Sequence, residues 1–159
     1  MKQEDKNEIS LFVREGNEIR EASEEDIKTA KKYYSFKEKG IVVDQKRITI
    51  LTKKLIYLPG ENIRIIHVLE LLTSGDFIYA AGPKPVYMET VNGIYNNLDN
   101  NYSELDPFRP QTYNGKILKS PGIDFNFEIL EYKFYNKGTY SIQWLPDKWK
   151  SNVIEIEIK

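Results

Sequence analysis

The sequence contains no cysteine. That excludes a disulfide framework, a thiolate metal site and a cysteine nucleophile. A blue-copper centre needs one cysteine and two histidines, and the chain has a single histidine, His67. The nine glycines are scattered at turns, so no glycine loop is present to cradle a phosphate. No Gly-x-Ser-x-Gly elbow accompanies His67. The apolar runs are too short to span a membrane, and the opening MKQEDKNEIS carries no apolar signal core. The chain is expected in the cytoplasm if it is the complete product, and outside it if a signal segment has been removed.

What remains is enough for a well-packed domain. At 159 residues the fold can bury well over half of its unfolded surface without a metal or a disulfide. Eleven tyrosines dominate the aromatics and suit half-buried strand faces. The net charge of −1 is unevenly spread: residues 1–26 hold nine acids against four bases. The remainder is weakly basic, with six lysines and arginines between 37 and 54. That footprint is too thin for nucleic-acid binding and reads as solvated loop and strand faces.

The chain divides into an N-terminal extension, 1–40, and a β domain, 41–159. ISLFV (9–13) is a short strand candidate. ASEEDIKTAKKYYSF predicts a helix over 23–35, with Ser23 as N-cap and acids at 24–26 in the first turn. Ile27, Ala30 and Tyr34 form its expected docking face. From Gly40 onward the period is two. RITIL and LIYL are short strands, and NIRIIHVLELL is apolar on both faces, as a central strand is, with a helix over 62–72 the alternative for so short an apolar run. Pro83 and Pro85 belong to a turn or an edge. Asn92-Gly93 marks a tight hairpin turn. Residues 95–122 lose periodicity and read as a long loop, either functional or mobile. In IDFNFEI, Phe125, Phe127 and Ile129 are expected inward, with Asp124, Asn126 and Glu128 outward. A bulge is expected at Ile129-Leu130. Tyr140, Ile142 and Trp144, then Ile154, Ile156 and Ile158, complete the inward faces of two closing strands.

Several short strands separated by turn signals argue for a sandwich or a barrel. LPGENIRI, followed by NKGTYSIQW and a terminal SNVIEIEI, resembles the strand grammar of immunoglobulin-like β-sandwiches in bacterial proteins. The resemblance covers residues 45–159. It implies a mainly β, immunoglobulin-like antiparallel sandwich carrying one N-terminal helix, and it implies no particular function.

Candidate chemistry is sparse. His67 sits in an apolar alternation and reads as a structural histidine. Asp99, Asn101, Ser103 and Asp106 supply oxygens at short spacing, but the glycine and the bidentate glutamate of a calcium loop are missing. No catalytic residue, metal ligand or cofactor is assigned. The candidate contact residues are aromatic. Trp149, flanked by Lys148 and Lys150 in the polar loop LPDKWKSN, is either an exposed anchor or a cap on the open end of the sandwich. Tyr95, Tyr102 and Tyr113 are further candidates, able to stack on sugar or peptide or to pin their own loop. The leading expectation is a non-catalytic binding module with a protein partner. Carbohydrate binding, a proteinase inhibitor presenting loops 82–85 or 146–150, and a hydrolase built on 95–122 are the alternatives.

Overall fold

The computed structural model describes residues 9, 11–15, 17–73, 77–79, 83–95, 117–119 and 121–159. Among these residues the chain is mainly β, with thirteen strands and one α-helix. A hairpin, β1 (Phe12–Glu15) and β2 (Glu18–Glu21), leads into α1 (Glu24–Lys31) and a 3₁₀ turn (Lys32–Ser35). The Ser23 hydroxyl accepts the Asp26 N–H at 3.2 Å, which satisfies one of the helix's free amides.

One sheet is organised around β5 (Ile63–Leu71). β3 (Lys46–Leu51) pairs along one side of it. On the other side β10 (Gly122–Asp124) and β11 (Leu130–Tyr132) lie end to end against the same strand. The second sheet runs β4 (Ile56–Tyr57), β13 (Ile154–Ile158), β12 (Gly138–Trp144), β7 (Glu89–Val91), β8 (Ile94–Tyr95). Its pairings are antiparallel except β4 on β13. A separate pair joins β6 (Phe77–Tyr79) to β9 (Ile117–Lys119), so the end of the expected 95–122 loop is strand. The rest of that loop, 96–116, lies outside the described residues.

The main core fills the space between the two sheets. Ile48, Ile50, Ile63, Ile65 and Leu69 come from the first, and Ile142, Trp144, Ile154, Ile156 and Ile158 from the second. The closing strands follow the expected alternation: β13 is buried at every second residue. A second cluster lies on the other face of β5, where Ile66 and Val68 meet Leu11, Ala22, Ala30 and Tyr33. The N-terminal segment therefore covers the outer face of the first sheet, which is why β5 is apolar on both sides.

Two expectations of facing are corrected. The helix buries Asp26, Thr29 and Ala30, and the turn after it buries Tyr33, whereas Tyr34 is exposed. Polar contacts set this rotation: Arg64 grips both Asp26 carboxylate oxygens at 2.8 and 2.9 Å, and the Tyr33 hydroxyl donates to Glu70. The second correction lies between β10 and β11. Asp124 opposes Leu69 and Leu130 opposes Ile65, so five residues, 125–129, stand against the three residues Ile66, His67 and Val68. This two-residue excess breaks the alternation before Ile129-Leu130. Asp124, Phe125, Asn126 and Phe127 are all buried in consequence, and Phe125 and Phe127 serve different cores.

Candidate functional site

The loop after β12 does not project its tryptophan. Pro146 accepts the Trp149 N–H at 3.1 Å, Asp147 takes a left-handed φ of 52°, and the Ser151 N–H returns to the Trp144 carbonyl at 2.9 Å. This tight turn folds the indole back over the end of the main core, where it is 7% exposed. Its Nε1 donates to the Val43 carbonyl at 2.8 Å. Trp149 is thus the core cap among the two readings, and the exposed anchor is corrected. Lys148 stays at the surface and pairs with Asp44, whose carboxyl it holds below the usual range. Lys150 is exposed beside it. Tyr95 is half-buried on the edge strand β8, in a row with Thr90 and Gln143 on the sheet face turned away from the core. Tyr102 and Tyr113 lie outside the described residues. In the loops 82–85 and 146–150, Pro83, Lys84, Pro146 and Trp149 are buried, whereas Asp147, Lys148 and Lys150 are exposed; Gly82 lies outside the described residues.

Two titratable centres lie inside. The first joins the sheets. His67, on the inner face of β5, bonds through Nε2 to Glu89 on β7, and both side chains are fully buried. The Tyr132 hydroxyl donates to the other Glu89 oxygen at 2.5 Å. The Trp144 ring stands perpendicular to the imidazole with ring centres 5.0 Å apart, and its indole N–H donates to the Tyr87 carbonyl at 2.9 Å. His67 Nδ1 has no hydrogen-bond partner. Nε2 is the ring nitrogen placed against the Glu89 carboxyl. Met88, just before Glu89, holds a left-handed φ of 67°, a conformation costly for a non-glycine residue. His67 is buried on the inner face of β5, as its place in the apolar alternation predicts. Glu89 was not singled out, although it shares a strand face with Val91, which packs on the main core, where a carboxylate needs a partner.

The second centre is held by the excursion between β10 and β11. The Lys84 N–H donates to Asn126 and the Glu128 N–H to the Lys84 carbonyl, at 2.9 and 2.8 Å. This backbone clamp carries the Lys84 side chain inward, where its Nζ lies 2.9 Å from Asp124 Oδ2, both side chains 1% exposed. The Nζ also lies 4.6 Å from the centre of the Phe127 ring. The Asn126 N–H donates to Asp124 Oδ1 at 2.9 Å. Burial pushes the lysine amine down and the aspartate carboxyl up, and the attraction between them opposes both shifts only in part. Phe127 packs 5.2 Å from Trp144, so an aromatic pair separates the two polar centres.

The open surface is at the other end of the second sheet. Leu55, Ile56, Leu58 and Val153 are each at least half exposed around β4 and the start of β13. Leu55 and Val153 border a groove of about 480 Å³ that also reaches Phe36, Leu51 and Ile154. The carbonyls of Leu55 and Tyr57 accept from Glu157 and Lys159. Alternate residues of a strand direct their backbone groups to opposite sides, so those of Ile56 face the free edge.

Among the described residues no cluster of three or more histidine, aspartate or glutamate side chains is placed to hold a metal ion, and no helix is long and apolar enough to cross a membrane. Comparison with protein-family models, with curated proteins and with solved structures returns no match.

Proposed function

We propose that the chain is a non-catalytic recognition module on an immunoglobulin-like β-sandwich, and that it binds a protein partner along the β4 edge. Two sheets sharing one core, with regular closing strands, support the sandwich reading. The observation that carries the binding reading is the gathering of Leu55, Ile56, Leu58 and Val153 at one sheet edge, each at least half exposed. The two titratable centres are closed to solvent, and an acid–base reaction needs a substrate within hydrogen-bond reach. The occupant is an extended segment of another protein with apolar side chains at alternate positions. It adds its backbone to the free side of β4 and seats side chains against Leu55 and Val153.

Selection of displayed random peptides on the purified chain tests this reading, with amide NMR to map the bound peptide. Selected peptides should alternate apolar residues and shift the resonances of residues 55–58 and 153–155. Ile56→Asp and Leu58→Asp should weaken binding by about tenfold or more without lowering the melting point. Binding that maps elsewhere, survives both substitutions or cannot be selected at all overturns the reading.

A further inference from the structure

The geometry points to an intramolecular amide between Lys84 and Asp124, formed by loss of water between the lysine amine and the aspartate carboxyl. The observations that carry it are positional. Nζ and Oδ2 are 2.9 Å apart, from chain segments forty residues distant, with both side chains 1% exposed. The contact is not a well-directed hydrogen bond, for Oδ2 has no donor aligned with it. The nitrogen therefore rests against the carboxyl group off the direction a stable ion pair prefers. A buried ion pair carries a desolvation cost that a neutral amide does not.

The neutral partners are the reactive ones. An amine attacks through its lone pair, and a carboxylic acid is a better acceptor than a carboxylate. Burial favours both neutral forms here. The steps use atoms already in place. The Nζ lone pair attacks Cγ, and the carbonyl electron pair moves onto Oδ1. The Asn126 N–H, 2.9 Å from Oδ1, stabilises the charge that develops there. One Nζ proton passes to Oδ2, the neighbouring oxygen, which already carries the acid proton. The Cγ–Oδ2 bond then breaks, water departs and Oδ1 returns to a carbonyl. The amide keeps the remaining Nζ proton, and no oxidant or second substrate is needed. The Phe127 ring, 4.6 Å from Nζ, shields the centre. The Lys84 backbone bonds to Asn126 and Glu128 hold the approach, so little freedom is lost in reaching it. The product ties the segment before β7 to β10 and closes the intervening chain into a covalent loop, restricting the unfolded state as a disulfide does in proteins that have cysteine.

Intact-mass measurement of the denatured wild-type chain, after incubation at neutral pH, tests the inference. The expected mass is one water below that of the sequence. Tandem spectra of a digest should join the peptide holding Lys84 to the one holding Asp124. Lys84→Met and Asp124→Ala should each restore the full mass. A wild-type chain at full mass overturns the cross-link, and that reading needs no variant to fold. A water loss that persists in Lys84→Met assigns it to cyclisation at an aspartate instead. Loss of ammonia with Lys84 joined to Asn126 moves the bond off Asp124. Both outcomes also overturn the inference.

Discussion

The indole N–H of Trp149 donates to the Val43 carbonyl at 2.8 Å, across the end of the main core. The bond joins the loop after β12 to the segment that enters β3, and it satisfies a polar atom that burial would otherwise strand. Lys46 and Lys148 place their ammonium groups 5.6 and 5.1 Å from the ring centre, so one sequence neighbour and one cation from β3 cover it. Trp149→Ala should therefore act on stability. A loss of about 3–5 kcal/mol is expected, as for other large aromatic truncations, read by denaturant unfolding. A loss below about 1 kcal/mol would mean that the indole does not cap the core.

Glu89 is expected to behave as part of a unit with His67 and Tyr132. Glu89→Ala leaves an imidazole and a phenol without their acceptor in the interior, at a cost on the order of 3–5 kcal/mol. Replacing His67 with leucine and Glu89 with methionine removes the stranded imidazole along with the contact, while the Tyr132 phenol loses Glu89 in both variants. The double variant should be more stable than Glu89→Ala alone. Equal or lower stability in the double variant would show that the contact is not the source of the loss.

The closing strands were legible because one face of each is wet. In β13 the pattern Ile154, Glu155, Ile156, Glu157, Ile158 states burial residue by residue. The central place of β5 was legible for the opposite reason, since apolar residues on both faces require cover on both. The helix start was written in Ser23, but its rotation was not, because it depends on Arg64 and Glu70, some forty residues away. The run Asp124–Phe127 was misread for a related reason. A period of two holds only while the ladder does, and the pairing of residues 126–128 with Lys84 takes them off it. Neither polar centre could be read locally. Each pairs groups contributed by segments far apart in the chain, and Lys84 and Asp124 alone resemble a turn residue and an ordinary surface charge. The β4 patch was half visible: LIYL was read as a strand, and only its place at a sheet edge exposes Leu55, Ile56 and Leu58.

Gly40 occupies a position that admits no side chain. A Cβ there would stand 1.8 Å from the Ile48 carbonyl oxygen and 2.9 Å from that of Lys150. Both are backbone atoms, so neither can swing aside, and the Gly40 N–H is already held by the Thr49 hydroxyl at 3.1 Å. Gly40→Ala should destabilise by about 1–3 kcal/mol or more, the range for forced overpacking. An unchanged unfolding midpoint would show that the segment 36–43 does not pack against β3 in this way.

Tyr33 links the N-terminal segment to the first sheet and should set an alkaline limit on stability. Its ring is buried against Phe125, and its hydroxyl donates to Glu70, which Arg47 also holds at 2.7 Å. Burial, and then the Glu70 carboxylate, raise the phenol well above its ordinary pKa of 10.0. The protonated phenol is the form the fold accepts. In the unfolded chain Tyr33 ionises from about pH 10. The stabilisation is therefore fully present below that pH and is lost as the pH rises through the interval up to the folded-state value. Lysines ionise in the same range, so the test is a comparison. Unfolding midpoints of the wild type and Tyr33→Phe, measured from pH 8 to pH 11 (a range bracketing the ordinary phenol pKa), should converge as the pH rises. The phenylalanine variant is less stable at pH 8, because Glu70 loses a donor, yet it has no phenol to ionise. Parallel curves across the range would mean that Tyr33 is no more protected from ionisation in the folded protein than in the unfolded chain.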